Sequence, residues 1–199
     1  MNTYTISRVK EKPDWSVIPS LEMKPVQSYP LEIRAYGQIA YDEKGLFIHL
    51  WAYEPQIRAE EPKPYGNACD DSCLEFFFCP EKEDPQYFNI EFSASGCMYL
   101  GIGSGLHDLI RLVPNYTDCL FEPTIRILNG EWSIEYFIPF SFIQKFFSGF
   151  SPKSGKTIRA NCYKCGDKTV QPHFLEWNPV SVKPHTFHSP KDFGTMVFS

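Results

Sequence analysis

Four residues in the middle of the chain, Glu75, Asn89, Glu91 and Asn161, sit in runs where every second side chain is large and apolar or small and uncharged. Leu74, Phe76 and Phe78 share one phase and leave Glu75 in the other. Phe88, Ile90 and Phe92 likewise leave Asn89 and Glu91. Ile158, Ala160 and Cys162 alternate with Arg159, Asn161 and Tyr163. Successive side chains of an extended chain point to opposite faces, so three strands would bury one face and turn carboxylates and amides outward. If those strands are neighbours in one sheet, their polar phases line a single concave surface. Carboxylates accept hydrogen bonds and amides both donate and accept, which suits the hydroxyls of a sugar.

The end of the chain adds the complementary chemistry. Phe174-Leu175-Glu176-Trp177-Asn178-Pro179 is followed by Phe187-His188-Ser189-Pro190 and Lys191-Asp192-Phe193-Gly194. Pro179, Pro184 and Pro190 lack an amide donor and fix φ, so this run reads as loops on a β-rich body. Loops on a rigid scaffold are where binding groups concentrate. A flat ring at Trp177 would pack on the C–H face of a pyranose. His188 and Lys164 would add polar contacts. Glu75, Asn89, Glu91, Asn161, Lys164, Trp177 and His188 are therefore the expected ligand-binding set, with Glu75, Asn89, Glu91 and Trp177 converging on one shallow depression near the loop that carries His188. Each has a plainer reading: a solvated sheet carboxylate, a core tryptophan, a histidine bonded to a loop carbonyl. His49 and Trp51 share a strand face and form a second aromatic pair, for which sheet packing is the simpler reading.

Other chemistries use the same residues. Glu75 with Glu91, or Glu75 with Glu135, would make the acid and base of a small glycoside hydrolase if held roughly 5 to 10 Å apart across a glycosidic bond. The chain lacks the extra loops that build a deep cleft, so non-catalytic binding is preferred and no catalytic residue is assigned. The seven cysteines include Cys162-x-x-Cys165 and Cys69-x-x-x-Cys73, spacings that two halves of a zinc site would use. Residues three apart in a strand face opposite ways. An odd count also does not close a disulfide framework. Free, unmetallated thiols are expected, with no metal and no cofactor.

These residues need a scaffold of strands. Alternation marks them at 4–9, 32–41, 46–53, 73–79, 87–94 and 97–102, then at 121–128, 131–138, 157–165, 174–177 and 195–198. Asp42-Glu43-Lys44-Gly45 and Asn129-Gly130 are hairpin signals. One short helix is expected over 141–147, with Ser141 as N-cap and Gly149 closing it, and a second helical turn from Asp14. Many strands without βαβ alternation imply an all-β, antiparallel, jelly-roll-like sandwich forming a single domain over 1–199. Its expected core includes Leu74, Phe76, Ile90, Phe92, Trp132, Ile134 and Ile158.

Composition narrows the partners. A formal charge of −5 opposes a nucleic-acid groove, which needs clustered Lys and Arg, and opposes anionic membranes. No linker, repeat or bilayer-spanning apolar run is present. Met1 through Lys10 has no apolar signal core. The expectation is a cytoplasmic protein if Met1 is the natural start, and an extracellular one if a signal has been removed.

The order and spacing of these segments resemble the family 9 carbohydrate-binding modules, in particular the single-domain family 9-like proteins of gut bacteria. The segments are Trp15-Ser16-Val17-Ile18-Pro19, Asp71-Ser72-Cys73-Leu74-Glu75, Tyr87-Phe88-Asn89-Ile90-Glu91-Phe92, Trp132 to Pro139, Asn161 to Asp167 and the aromatic ending. The resemblance implies a β-sandwich that binds a mono- or oligosaccharide without cleaving it. It implies sugar contacts at Glu75, Asn89 and Glu91, and one ring of a tryptophan clamp at or near Trp177. The second clamp ring would fall near Cys69, where only Tyr65 is aromatic. The family also carries structural calcium, to which Asp70 and Asp71 would contribute, although no loop has regular oxygen-ligand spacing. Related sandwiches hold haem through a Met and a His, here Met98 and His188, which is a less favoured reading.

Overall fold

A computed structural model describes residues 1–30, 32–114 and 120–199. Among these residues, thirteen strands form two packed sheets. The first sheet runs β8(Ile110–Arg111), β7(Met98–Gly103), β6(Tyr87–Ser93), β5(Cys73–Cys79), β11(Thr157–Gly166). One half of β11 pairs β13(Gly194–Phe198) and the other pairs β12(His173–Glu176). The second sheet runs β2(Leu21–Pro25), β3(Arg34–Tyr41), β4(Gly45–Tyr53), β10(Glu131–Pro139), β9(Thr124–Leu128). The sheets are joined where β2 leaves β3 to pair β12, and where β1(Thr3–Arg8) passes from β13 to β3. Strands that switch sheets make the corners of a sandwich.

The expected all-β sandwich is what forms, with one departure: β1 runs parallel to both of its partners. Alternation cannot reveal strand direction, because parallel and antiparallel strands share the same period. β2 and β8 also went unread. β2 carries Glu, Lys and Pro among five residues, and β8 has only two. The helix is shorter and starts one residue earlier than expected, α1(Phe140–Ile143), with Pro139 rather than Ser141 at the N-cap. The turn at Trp15–Val17 is present, and the Asp14 side chain accepts from the Ser16 amide at 3.0 Å.

All seven expected core residues are buried. They belong to an interior between the sheets, to which β5 contributes Leu74, Phe76 and Phe78 and β10 contributes Trp132, Ile134, Tyr136 and Ile138. A second apolar cluster lies on the outer face of the first sheet. There Phe77, Tyr87 and Tyr163 are covered by Val180, Phe187 and Phe193 from the proline-rich ending. That covered outer face is what makes a site there.

Candidate functional site

On the outer face of the first sheet, the expected adjacency of β6, β5 and β11 holds. Glu75 and Glu91 are register partners on neighbouring strands, so their side chains rise side by side. Beyond them lies a cavity of about 430 Å³, within the ~300–1,000 Å³ usual for small-molecule sites. Its floor is Glu75, Glu91 and Cys165, and its walls include Cys69, Asp167, Phe174, His185, Phe187 and His188. No Lys or Arg is among the described residues that line it.

The walls are held by local contacts. Phe187 stacks on Tyr163 with ring centroids 4.0 Å apart. His185 Nε2 lies 3.0 Å from Glu176 Oε2. His188 Nδ1 lies 2.7 Å from the Tyr87 hydroxyl, and its ring tilts against Phe77. The Asp167 amide donates to the Cys69 carbonyl at 2.8 Å, tying the Ala68–Asp70 turn to the end of β11.

Burial dominates the electrostatics. Glu75 is 3 % exposed and Glu91 7 %. Burial, reinforced by the Glu91 carboxylate, pushes the Glu75 carboxyl well above the usual carboxylate range. Burial likewise pushes Glu91 up to about 7, partly offset by the Asn89 amide. His188 is pushed down to about 4 by burial, so its ring is neutral near pH 7. The site thus offers the neutral imidazole of His188 and protonatable carboxyls as hydrogen-bonding groups, flanked by aromatic rings. It can clasp a polar, ring-shaped ligand.

The expected residues divide into those the fold brings together and those it does not. Glu75, Glu91 and His188 line the cavity. Asn89 is fully buried on the same sheet face, and neither amide atom has a partner of ordinary hydrogen-bond geometry. Asn161 is on that face too but is enclosed. It donates to the Tyr163 hydroxyl and the Asn178 carbonyl and accepts from the Asn178 amide, which fastens the covering segment instead of facing the cavity.

Trp177 and Lys164 lie elsewhere. Trp177 is 6 % exposed and packs in the interior, edge-on to Tyr4, against the backbone at Gly194. A Cβ at Gly194 would come within 2.6 Å of the indole, so the glycine is what admits the ring. Lys164 is fully buried between the sheets, 3.1 Å from Glu54 and 2.6 Å from His173 Nε2. It follows the phase of Ile158, Ala160 and Cys162, which face inward. Tyr65 packs against the interior cluster and does not line the cavity.

Three of the competing pairings lose their geometry as well. Glu135 lies on the outer phase of β10 in the other sheet and accepts from Trp15 Nε1, so it cannot pair with Glu75. Met98 points into the interior while His188 lies on the outer face, which separates the two haem candidates. Cys162 faces inward and Cys165 outward. The six cysteines described carry free thiols, and Cys119 lies outside the described residues. Asp71 is buried and accepts from the Glu60 and Glu61 amides, while Asp70 pairs with Lys168.

Reading from sequence missed Cys69, Asp167, Phe174, His185 and Phe187 as wall residues. Phe174 carried a signal, since it shares the phase of Glu176 and opposes Leu175. The others reach the cavity through loops, where no period applies.

Among curated proteins, none matches the chain. A solved Bacteroides uniformis protein, provisionally assigned as carbohydrate-binding, is 26% identical, with a TM-score of 0.82 and 99% of each chain covered. A family 9 carbohydrate-binding module from Caldicellulosiruptor kristjanssonii gives TM-scores of 0.70 in complex with glucose and 0.69 in complex with cellotriose. Both are 11% identical, covering 100% and 99% of this chain and 96% and 93% of theirs, a likeness of fold. The model of carbohydrate-binding family 9 matches residues 8–198. With all but the extreme ends of the sandwich inside that match, the chain belongs to carbohydrate-binding family 9.

Proposed function

We propose that the protein binds a saccharide, without cleaving it, in the cavity on the outer face of the first sheet. The observation that carries this is the pairing of two buried, adjacent carboxyl groups with aromatic walls in one cavity. Glu75 and Glu91 would meet hydroxyls from below. Phe174 and Phe187 would take the apolar C–H surface, with His185 and His188 donating or accepting at the rim. Asn89, buried beside Glu91 with neither amide atom held in ordinary hydrogen-bond geometry, would complete the polar floor. Glucose and β-linked glucose oligomers are the first candidates, since the two Caldicellulosiruptor complexes hold glucose and cellotriose.

Binding is favoured over hydrolysis by placement. Glycosidases flank the scissile bond with two carboxyl groups, one on each side. Here both rise from one floor on neighbouring strands. No helix among the described residues is long and apolar enough to cross a membrane.

The test is a glycan array followed by calorimetry with the saccharide it identifies, in chelator-treated buffer. Glu91→Gln should weaken that saccharide several-fold, and prolonged incubation should release no new reducing ends. Unchanged affinity in Glu91→Gln would move the site away from this cavity. Accumulating reducing ends would make the protein a hydrolase.

A further inference from the structure

The cavity floor holds a second donor set. Cys73 and Cys165 are register partners on β5 and β11, so their thiols rise together on the outer face. Glu75 lies two residues beyond Cys73, on the same face. One sulfur from each cysteine and one Glu75 carboxylate oxygen all lie within 4.8 Å of one another, with Cys165 Sγ 2.9 Å from Glu75 Oε1. All three side chains are buried.

We propose that Cys73, Glu75 and Cys165 bind a divalent zinc-class ion whose fourth coordination position opens into the cavity. Zinc–sulfur and zinc–oxygen bonds of about 2.3 and 2.1 Å in a tetrahedron put ligand atoms roughly 3.5–4 Å apart, which this cluster approaches without moving a strand. Thiolates with one carboxylate select zinc over the hard cations calcium and magnesium. The open side is marked by the cavity itself. Glu75 and Cys165 form part of its lining, with Cys69, Glu91 and Asp167 around them. Two carboxyl groups stand side by side, and no Lys or Arg is among the described residues that line the cavity, which leaves room for a cation. Binding replaces the protons of the two thiols and any proton on the Glu75 carboxyl, all of which pass to solvent, and changes no oxidation state.

The set differs from the C-x-x-C pairing considered from sequence, because Cys162 faces the interior and takes no part. It arises from strand register, which joins residues 92 positions apart. The proposal does not depend on which ligand fills the rest of the cavity.

Titration of the reduced, chelator-treated full chain with Co²⁺ tests it. One equivalent should bind with a thiolate-to-cobalt charge-transfer band and the visible spectrum of a tetrahedral ion, and Zn²⁺ should displace it. Cys165→Ser should weaken binding at least about tenfold and diminish that band, while Cys162→Ser leaves both unchanged. Circular dichroism checks that each variant is folded, and the wild-type spectrum decides the question even where one is not. No stoichiometric uptake, uptake without the charge-transfer band, or equal loss in folded Cys162→Ser would overturn the proposal.

Discussion

Glu91 holds a carboxyl whose charge the fold resists. Its folded value of about 7 stands above the ordinary 4.5. A group raised on folding contributes stability that is complete below the unfolded value and is lost as pH rises through the folded one. In chelator-treated protein, Glu91→Gln should therefore melt higher than the parent at pH 8, by about 1–3 kcal/mol, with the gain shrinking toward pH 4.5. Melting curves across that window check it; a gain independent of pH would assign it to packing. Trp177 tests the opposite kind of residue. Trp177→Ala should cost about 3–5 kcal/mol of stability in denaturant titration, while saccharide affinity measured below the melting transition stays within a few-fold of the parent. Alternation carried both answers. The phase that put Glu75 and Glu91 outside also put Leu175, and hence Trp177, inside. Residue type outweighed phase for Trp177 and Lys164, and phase was the better guide.

At the scale of elements, the inward Lys164 ties the sheets together. Its ammonium joins Glu54, just past the end of β4, and His173 on β12, while Glu54 also accepts from Ser72 and Trp132. Removing one member strands a buried charge, which typically costs 3–5 kcal/mol, whereas removing both charges costs far less. Lys164→Met should thus be destabilised by about that amount, and adding Glu54→Gln should recover a large part of it. Chemical denaturation of both variants measures the recovery; strictly additive losses would refute the coupling. The network was not legible because its members come from five separate segments. The strands that carry the cavity floor were legible to within a residue, since β5, β6 and β11 alternate cleanly. The covering segment 178–193 was legible only as a proline-punctuated loop. Its packing against Phe77, Tyr87 and Tyr163 depends on long-range contacts that no local pattern encodes.

Across the whole molecule, aromatic rings gather on both outer faces, and the two faces arrange them differently. On the second sheet, Trp15, His49, Trp51 and Tyr36 form a half-exposed column with successive centroids 4.9 to 5.3 Å apart. Each ring's face is turned largely to the next, so the column spends its stacking surface internally. On the first sheet, Phe174, His185, Phe187 and His188 surround open space above two carboxyl groups. The five histidines report on this division. His185 and His188 line the cavity, His49 belongs to the column, His173 lies in the interior and His107 is exposed in the Leu106–Asp108 turn. The most direct measurement is NMR of the histidine ring signals during titration with a saccharide that binds. The account predicts that His185 and His188 shift together in saturable fashion while His49 and His107 stay in place. Saturable shifts at His49, with His185 and His188 unmoved, would contradict it.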